Sequence, residues 1–328
     1  MFLRTFIRLF THLQLMPILE SGEETLVGGQ AVMEGVMMRA PHSYCVAVRK
    51  PSGEIVTEEM LLPRISEQYK IFKLPIFRGI GTLYQAMKLG FKALNFSAAA
   101  ALDDPSIPAA KRPSEKLWNG AVIANLVFGL GMFIVLYKVT PLFLVTKLEK
   151  FYPVLQGRIA FNVADGLIRM AIFLTFLYAL SRMKDIFRVF QYHGAEHKVV
   201  FNFESGKPVD IETAQSFTTY HPRCGTSFLF VLMLLVIPFN ALIPFDGFAL
   251  KLIGRIVLLP VVVGVAYELI RFAAKRRGSF LATITAPGLW LQRITTKQPD
   301  DSQAAVAIRA LEGAMALEKA QGGELVIA

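Results

Sequence analysis

The sequence is poor in charged side chains and contains almost no cysteine. Asp, Glu, Lys and Arg make up 18% of the 328 residues, whereas 54% are hydrophobic and the mean hydropathy is +0.47. A typical soluble domain carries about 25% charged residues. The two cysteines, Cys45 and Cys224, are too few for a disulfide framework. These shortages exclude a disulfide-stabilised secreted domain and favour an integral membrane protein, in which thiols facing the cytoplasm stay reduced.

Nucleic acid is not an expected partner, although a net charge of +10 and a pI near 9.6 would suggest one in a soluble protein. No DNA- or RNA-binding motif is recognisable. Much of the Lys and Arg instead flanks apolar blocks, as the positive-inside rule describes. The lipid bilayer is therefore the expected partner.

Four apolar blocks reach or approach the length of about 20 residues that crosses a ~30 Å hydrocarbon layer. They comprise residues 120–145, 161–180, 227–243 and 250–270. Pro260 predicts a kink in the fourth block. Basic clusters precede the first block and follow the second and the fourth, which places these three flanks in the cytoplasm. A weaker basic loop after the first block gives a competing signal.

The predicted fold class is mainly α: a polytopic helical membrane protein of about four transmembrane helices, with a small cytoplasmic α+β module at the N-terminus. Two strand-like runs, 44–49 and 54–59, flank a turn in which Gly53 can take the positive φ that such turns need. The Ala- and Glu-rich stretch 302–320 predicts a helix that we expect to be a mobile appendage. The predicted divisions are an interfacial amphipathic helix at 1–25, the α+β module with its β-hairpin at 26–62, an amphipathic helix and linker at 63–115, a four-helix membrane domain at 116–277 with a cytoplasmic His-rich loop at 181–226, and a cytoplasmic tail at 278–328.

Three of the five histidines fall within the predicted loop. His193, Glu196 and His197 form an H-x-x-E-H motif, and imidazoles four residues apart on a helix can bind one metal ion. Glu196 is close enough to activate a metal-bound water, as in the inverted zincins. His221 and Cys224 follow just before the third apolar block. A cysteine at a helix N-terminus favours the thiolate that binds metal.

The motif predicts a divalent metal site, with zinc as the best match. Its ligands are His193, His197 and either Cys224 or His221, and Glu196 is the candidate catalytic general base. A simpler interpretation stays open, in which both histidines of the motif are polar positions on a juxtamembrane helix that touch lipid headgroups. A site with four protein ligands would be structural, whereas three ligands leave a position for water.

Two other polar features have structural interpretations. Asp165 and Arg169, four residues apart near the start of the second block, are expected to form an interfacial pair at a helix end rather than a buried ion pair. The Gly-rich segment 28–39 lacks the G-K-[ST] of a P-loop. We therefore predict turn-and-strand structure there, with Glu34 and Arg39 able to reach toward the histidine loop.

Together these motifs resemble the YqhQ-like family of bacterial membrane proteins, a domain of unknown function and predicted metal-dependent enzyme. The resembling segments are 28–39, 46–56, 78–98, 192–198 and 221–227, and the tail beyond residue 298 lies outside them. The resemblance implies a multi-pass protein of the cell inner membrane, which the charged flanks orient with the N-terminus, the 181–226 loop and the C-terminus in the cytoplasm.

Three functional hypotheses follow. The first is a metal-dependent hydrolase that acts on a membrane-associated substrate at the cytoplasmic face. The second is a non-enzymatic assembly factor, scaffold or lipid-binding protein, whose partner is another membrane protein or the bilayer itself. The third is a small transporter, which four spans without a visible inverted repeat support least.

Overall fold

The structure, a computed structural model, describes residues 27–63, 65–102, 115–221, 224–275 and 280–320. The interfacial helix predicted at 1–25 lies outside these ranges. Within them helices predominate, and one four-stranded antiparallel sheet lies near the N-terminus. The mainly helical fold class with a small N-terminal sheet is confirmed.

The sheet is a meander whose strands lie in chain order, each antiparallel to the next: β1 (Gly28–Val32), β2 (Gly35–Arg39), β3 (Ser43–Arg49) and β4 (Ile55–Leu61). β3 and β4 confirm the predicted hairpin, and Gly53 in its turn has a φ of +90°. β1 and β2 form a second hairpin in the Gly-rich segment, as predicted. Glu34 in that turn has a φ of +50°, an unusual conformation for a residue with a side chain.

Helices make up most of the remaining described chain. In chain order they are α1 (Phe77–Leu102), α2 (Glu115–Ile134), α3 (Thr140–Leu148), α4 (Arg158–Ser181), α5 (Lys184–Glu204), α6 (Ile211–Ser216), α7 (Gly225–Ala241), α8 (Phe248–Val257), α9 (Leu259–Lys275), α10 (Phe280–Thr295) and α11 (Asp301–Ala320). A π-helical segment, Val135–Val139, joins α2 to α3. Short helical turns occur at Ile65–Gln68, Lys70–Lys73 and Pro153–Gln156.

Two helices of the described chain are long and apolar enough to cross a membrane, Val127–Leu148 and Arg158–Ser181. A third span results if α8 and the apolar part of α9 count as one helix bent by 44°. The bend falls just before Pro260, which confirms the predicted kink. The third apolar block gives the shorter helix α7, which packs between α4, α9 and α10. The described helices thus support two or three spans rather than the four predicted.

The stretch predicted as a His-rich loop is largely helical, because α5 and the short α6 lie within it. The expectation that 302–320 is a mobile appendage is wrong. α11 packs against β2, β3 and α5, and it buries Ala304, Ala307, Ala310, Leu311 and Ala314. Small side chains let the helix approach closely: a β-carbon at Gly313 would lie 2.6 Å from the sulfur of Cys45.

The sheet lies between two helical layers. One face shares a core with α5 and α11, to which the strands contribute Val36, Met38 and Cys45. The other face packs against α1 through Met37, Tyr44, Val46 and Val48. This alternation of faces along β2 is the period-two pattern of a strand buried on both sides. The layered arrangement fixes α5, the helix that carries the motif, against the sheet.

Asp165 and Arg169 do form an ion pair, but the interfacial interpretation is wrong. The Asp165 Oδ2 and Arg169 Nη2 atoms lie 2.5 Å apart, and both side chains are at most 5% exposed. Arg255 from α8 adds a second contact, with its Nη1 2.7 Å from Asp165 Oδ1. The pair is buried because Arg255, 90 positions beyond Asp165, completes the hydrogen bonding of the carboxylate. Sequence spacing does not reveal a partner so far away.

Candidate metal centre

α5 positions the motif on one buried face. Residues three and four apart on a helix are neighbours, so His193, Glu196 and His197 point to the same side. The two imidazole ring centroids are 4.4 Å apart. His197 and Glu196 are buried and His193 is half-buried.

Backbone carbonyls fix the protonation of both rings. His193 Nδ1 lies 2.8 Å from the carbonyl oxygen of Thr295, and His197 Nδ1 lies 2.5 Å from that of Thr219. A carbonyl oxygen only accepts hydrogen bonds, so each Nδ1 carries the proton and each neutral ring keeps a lone pair on Nε2. Histidines that bind metals are held in this way, by an acceptor on the nitrogen that faces away from the ion.

Cys224 supplies the third donor. Its Sγ lies 3.3 Å from His193 Nε2, and donor atoms of His193, His197 and Cys224 all lie within 4.8 Å of one another. Burial alone would raise the pKa of the Cys224 thiol, but interactions with His197 and Thr226 outweigh it and lower the pKa. The residue caps the N-terminus of α7, where a thiolate is favoured.

The imidazole of His197 shows that these residues fit a metal ion. His197 Nε2 is buried and interacts with the Cys224 thiol, but it forms no well-aligned hydrogen bond with any described residue. A buried acceptor without a well-formed hydrogen bond costs about 1–3 kcal/mol. Coordination of a metal by this lone pair would remove the cost.

His221, the other predicted candidate, faces elsewhere. Its Nε2 lies 3.5 Å from a carboxylate oxygen of Glu204, and its ring centroid is 5.6 Å from that of His197. Two hydrogen bonds with the Gln292 side chain, of 2.8 and 2.7 Å, hold its backbone. The structure therefore brings Cys224, and not His221, into the group with the two motif histidines.

Glu196 lies beside this group against β1. A β-carbon at Gly29 would lie 2.9 Å from Glu196 Cγ, so a glycine is needed for this contact. Burial raises the pKa of Glu196 to about 7, with His193 lowering it and the charge of Cys224 raising it further. A carboxyl group with this pKa can both hold and release a proton near neutral pH.

Three residues that position the motif side chains were not identified from the sequence: Thr219, Thr295 and Gly194. A glycine in the middle of a helix is destabilising by itself, yet α5 runs through Gly194 unbroken. A β-carbon there would lie 2.0 Å from the carbonyl oxygen of Lys297. The one available signal was a glycine inside a helical motif, which indicates a close backbone approach.

The two charged residues of the Gly-rich segment diverge. Glu34 reaches α5, where its carboxylate pairs with Arg188 at 2.5 Å and accepts a hydrogen bond from the Tyr192 hydroxyl at 3.2 Å. Arg39 instead donates to Gln85 on α1, on the other side of the sheet. Neither residue belongs to the group of His193, His197 and Cys224.

Comparison with known proteins places the chain among relatives without an assigned activity. A family model described as a protein of unknown function, DUF1385, matches residues 74–317. The match extends through most of α11, so the resemblance does not end at residue 298. The uncharacterized protein YqhQ of Bacillus subtilis (strain 168) is 35% identical over 299 residues, which cover 89% of this chain and 92% of that protein. No solved structure matches. The chain thus belongs to the DUF1385 family.

Proposed function

We propose that this protein binds a divalent metal ion, with zinc preferred, through His193 Nε2, His197 Nε2 and Cys224 Sγ. One observation carries the proposal: both imidazoles are locked by backbone carbonyls, so that their lone pairs face one thiol. The buried His197 Nε2, which lacks a well-aligned hydrogen bond in the described chain, supports it.

The donor set favours zinc over other common metals. Two imidazole nitrogens and a thiolate are ligands that Zn²⁺ accepts readily, whereas Mg²⁺ and Ca²⁺ prefer oxygen. Zinc–ligand bonds of about 2.0–2.3 Å imply about 3.3–3.8 Å between donor atoms in a tetrahedral site. The 3.3 Å between His193 Nε2 and Cys224 Sγ is close to the about 3.5 Å that these bond lengths imply for a nitrogen–sulfur pair. Small rotations of the side chains would bring His197 Nε2 to a similar distance from the other two donor atoms.

Hydrolysis is the reaction class that the site supports best. Three protein ligands leave a coordination position for water, as in catalytic zinc sites. When bound, the metal supplies Lewis acidity and lowers the pKa of a coordinated water. Beside a bound ion, Glu196 would be the residue that accepts and donates a proton, a role that suits a buried carboxyl with a pKa of about 7.

The proposed setting is the cytoplasmic face of the bacterial inner membrane. Two or three described helices can cross a bilayer, and Cys224 lies at the start of the apolar α7. The basic residues that follow α4 and α9 favour the cytoplasm for this end of the helices. A substrate that partitions into the membrane surface would reach the site there.

A non-enzymatic lipid- or protein-binding role is the second candidate, and one observation favours it. α1 exposes a run of large apolar side chains, of which Tyr84 and Met87 are at least 60% exposed. Such a face suits a bilayer surface or a partner helix. This role is compatible with a metal site that is purely structural.

Metal analysis of the purified full-length protein tests the site. Wild-type protein is expected to carry about one zinc ion per chain, and His193→Ala, His197→Ala and Cys224→Ala to lose it. Cys45→Ala repeats the same chemical change outside the site, and His221→Gln removes the histidine that faces Glu204; both should retain the metal. Unchanged zinc content in the first three variants would refute the proposal.

Glu196→Gln separates the enzyme from the structural metal protein. The variant should keep its zinc, because Glu196 is not one of the three ligands. Fluorogenic ester, peptide and phosphodiester substrates in detergent micelles should be cleaved by the wild-type protein, and at least 100-fold more slowly by the variant. Equal rates in both proteins would contradict hydrolysis while leaving metal binding intact.

A further inference from the structure

A second polar site lies at the opposite end of the membrane helices. It is a cavity of about 230 Å³ between the start of α4, the end of α7 and the start of α8, lined among others by Arg158, Phe161, Asn162, Asn240, Lys251 and Arg255. The 17 residues of α7 separate it from Cys224 by about 25 Å. The cavity is therefore distinct from the metal centre.

The buried wall of this cavity has an excess of positive charge. Lys138 and Arg169 lie behind Arg255, and these three cations are 2–5% exposed. Asp165 is the one carboxylate that contacts them in the described chain. Desolvated charges are costly unless they are paired, so one carboxylate leaves this cluster short of negative charge.

The rim of the cavity does not correct the imbalance. It adds the cations Arg158 and Lys251 and the acids Glu149 and Asp246, and Asp246 is exposed to solvent. When the buried residues behind the lining are counted as well, there are five cations and three anions, and Arg158 is exposed to solvent like Asp246. The site as a whole favours an anion.

An aromatic ring holds the cations in place. Lys251 Nζ lies 4.5 Å from the centroid of the buried Phe161 ring, and Arg255 Cζ lies 6.0 Å from it. Cation–π contacts of this kind orient a charge without neutralising it. In the described chain no carboxylate pairs with Lys251, so its ammonium group remains available to a ligand.

Unused hydrogen-bond donors point to the same ligand chemistry. Asn240 lines the cavity and is 5% exposed, and its Nδ2 has no hydrogen-bond partner among the described residues. Arg169 Nη1, behind the wall, is likewise buried without one. Donors next to surplus cations require an acceptor that carries negative charge.

From these observations we infer that the cavity binds a phosphate-type oxyanion, either the phosphate of a lipid headgroup or free inorganic phosphate. Asn240, Lys251 and Arg255 donate to its oxygens, and Asp165 and Asn162 hold Arg255 in position. The volume lies below the roughly 300–1,000 Å³ of pockets for drug-sized ligands, so a single phosphate group matches it. This inference does not depend on the metal centre.

Thermal unfolding of the full-length protein in a neutral maltoside detergent tests the site. Two probes are titrated at constant ionic strength, inorganic phosphate and micelles doped with phosphatidylglycerol. At least one should raise the Tm of the wild-type protein in a saturable manner. Phosphate acting alone identifies a free anion as the ligand, whereas phosphatidylglycerol acting alone identifies a lipid headgroup.

Matched variants distinguish a site from general charge effects. Lys251→Gln and Asn240→Ala should each weaken the apparent affinity about tenfold, the effect of losing one charge-assisted or buried hydrogen bond. Lys150→Gln makes the same charge change at an exposed lysine outside the cavity lining and should leave the affinity unchanged. The inference fails if neither probe shifts the wild-type Tm, or if Lys150→Gln weakens binding as much as Lys251→Gln.

Discussion

Gly194 lies directly against the backbone of Lys297, close enough that a β-carbon on the glycine would be 2.0 Å from the lysine carbonyl oxygen. The contact joins the middle of α5 to the connection between α10 and α11. Thr295, which holds the His193 ring, precedes this connection. The glycine therefore sets the distance between the motif helix and one of the carbonyls that orient its imidazoles.

Replacement of this glycine should damage both the site and the fold. Gly194→Ala must push α5 away from Lys297, because a backbone oxygen cannot rotate aside as a side chain would. We expect the free energy of unfolding to fall by about 1–3 kcal/mol, as for other overpacked positions, and the zinc content to fall by more than half. Gly129→Ala is the control, since its β-carbon would meet nothing within 4 Å. Full zinc content and full stability in Gly194→Ala would show that this contact does not position His193.

The two cysteines should differ strongly in reactivity. Burial and the nearby Glu59 raise the pKa of Cys45 to about 12, whereas the pKa of Cys224 is lowered. Because the thiolate is the nucleophile, we expect iodoacetamide at neutral pH to label metal-free protein at Cys224 and to leave Cys45 unmodified. Mass spectrometry of peptides reads out the sites.

Zinc should protect the reactive thiol. Loading the protein with zinc is expected to slow labelling of Cys224 at least tenfold, because the metal uses the same sulfur lone pair. His197→Ala, which removes a partner ligand, should abolish this protection. Labelling that is equally fast with and without zinc would argue against the thiol as a ligand.

Glu318 should stabilise the docked α11 in a pH-dependent way. Its side chain is 4% exposed and accepts hydrogen bonds from the His42 backbone, the His42 ring and the Ser43 hydroxyl at 2.8–2.9 Å. Burial raises the pKa of Glu318, but these hydrogen bonds outweigh it and lower the pKa below 4.5. A carboxylate whose pKa is lowered by folding stabilises the protein fully when the pH is above its pKa in the unfolded state. This stabilisation is lost as the pH falls through its pKa in the folded state.

Substitution of this carboxylate measures the effect. At pH 7 we expect Glu318→Gln to reduce the free energy of unfolding by about 1.5–3 kcal/mol, the usual contribution of hydrogen bonds to a charged group. The difference from the wild-type protein should shrink below about pH 4.5 and vanish in stronger acid. Glu312→Gln, an exposed position on the same helix, should change little. A difference that does not depend on pH would contradict this assignment.

Removal of the buried carboxylate of Asp165, between α4 and α8, should be among the most damaging single changes. Asp165→Asn leaves the buried Arg169 and Arg255 without their shared counter-charge. We expect a loss of about 3–5 kcal/mol, which is typical when one partner of a buried ion pair is removed. Unfolding of purified protein in detergent measures it, with the exposed Asp246→Asn as the control. A loss below about 1 kcal/mol would show that these arginines do not need the carboxylate.

Several elements were predictable because their signals are local. The turn at Gly53 and the apolar runs beside it give the β3–β4 hairpin. Pro260 marks the break between α8 and α9 because its ring cannot continue the preceding helical turn. The burial of α11 was not predicted because its many alanines give only a weak hydrophobic signal in the sequence. They stabilise the helix through close packing, which depends on the sheet and α5 lying against it.

The candidate metal-binding group was only half predictable. The spacing of His193 and His197 follows from helical periodicity, but the choice between Cys224 and His221 depends on where α7 begins and on how Gln292 holds the backbone of His221. The acceptors for the two Nδ1 atoms come from Thr219 and Thr295, between 22 and 102 positions away. No local pattern encodes such contacts.

Short-range patterns were enough to predict a mainly helical, apolar chain with a β-hairpin near its N-terminus and two imidazoles one helical turn apart. These properties depend on residues close together in the chain, where backbone geometry dictates which side chains are neighbours. Long-range packing, in contrast, selects the donor that joins the imidazoles, buries Asp165 and places surplus cations around a cavity at the far end of α7. Each of these results from packing between distant segments, in which close backbone approaches such as that of Gly194 to Lys297 select one arrangement.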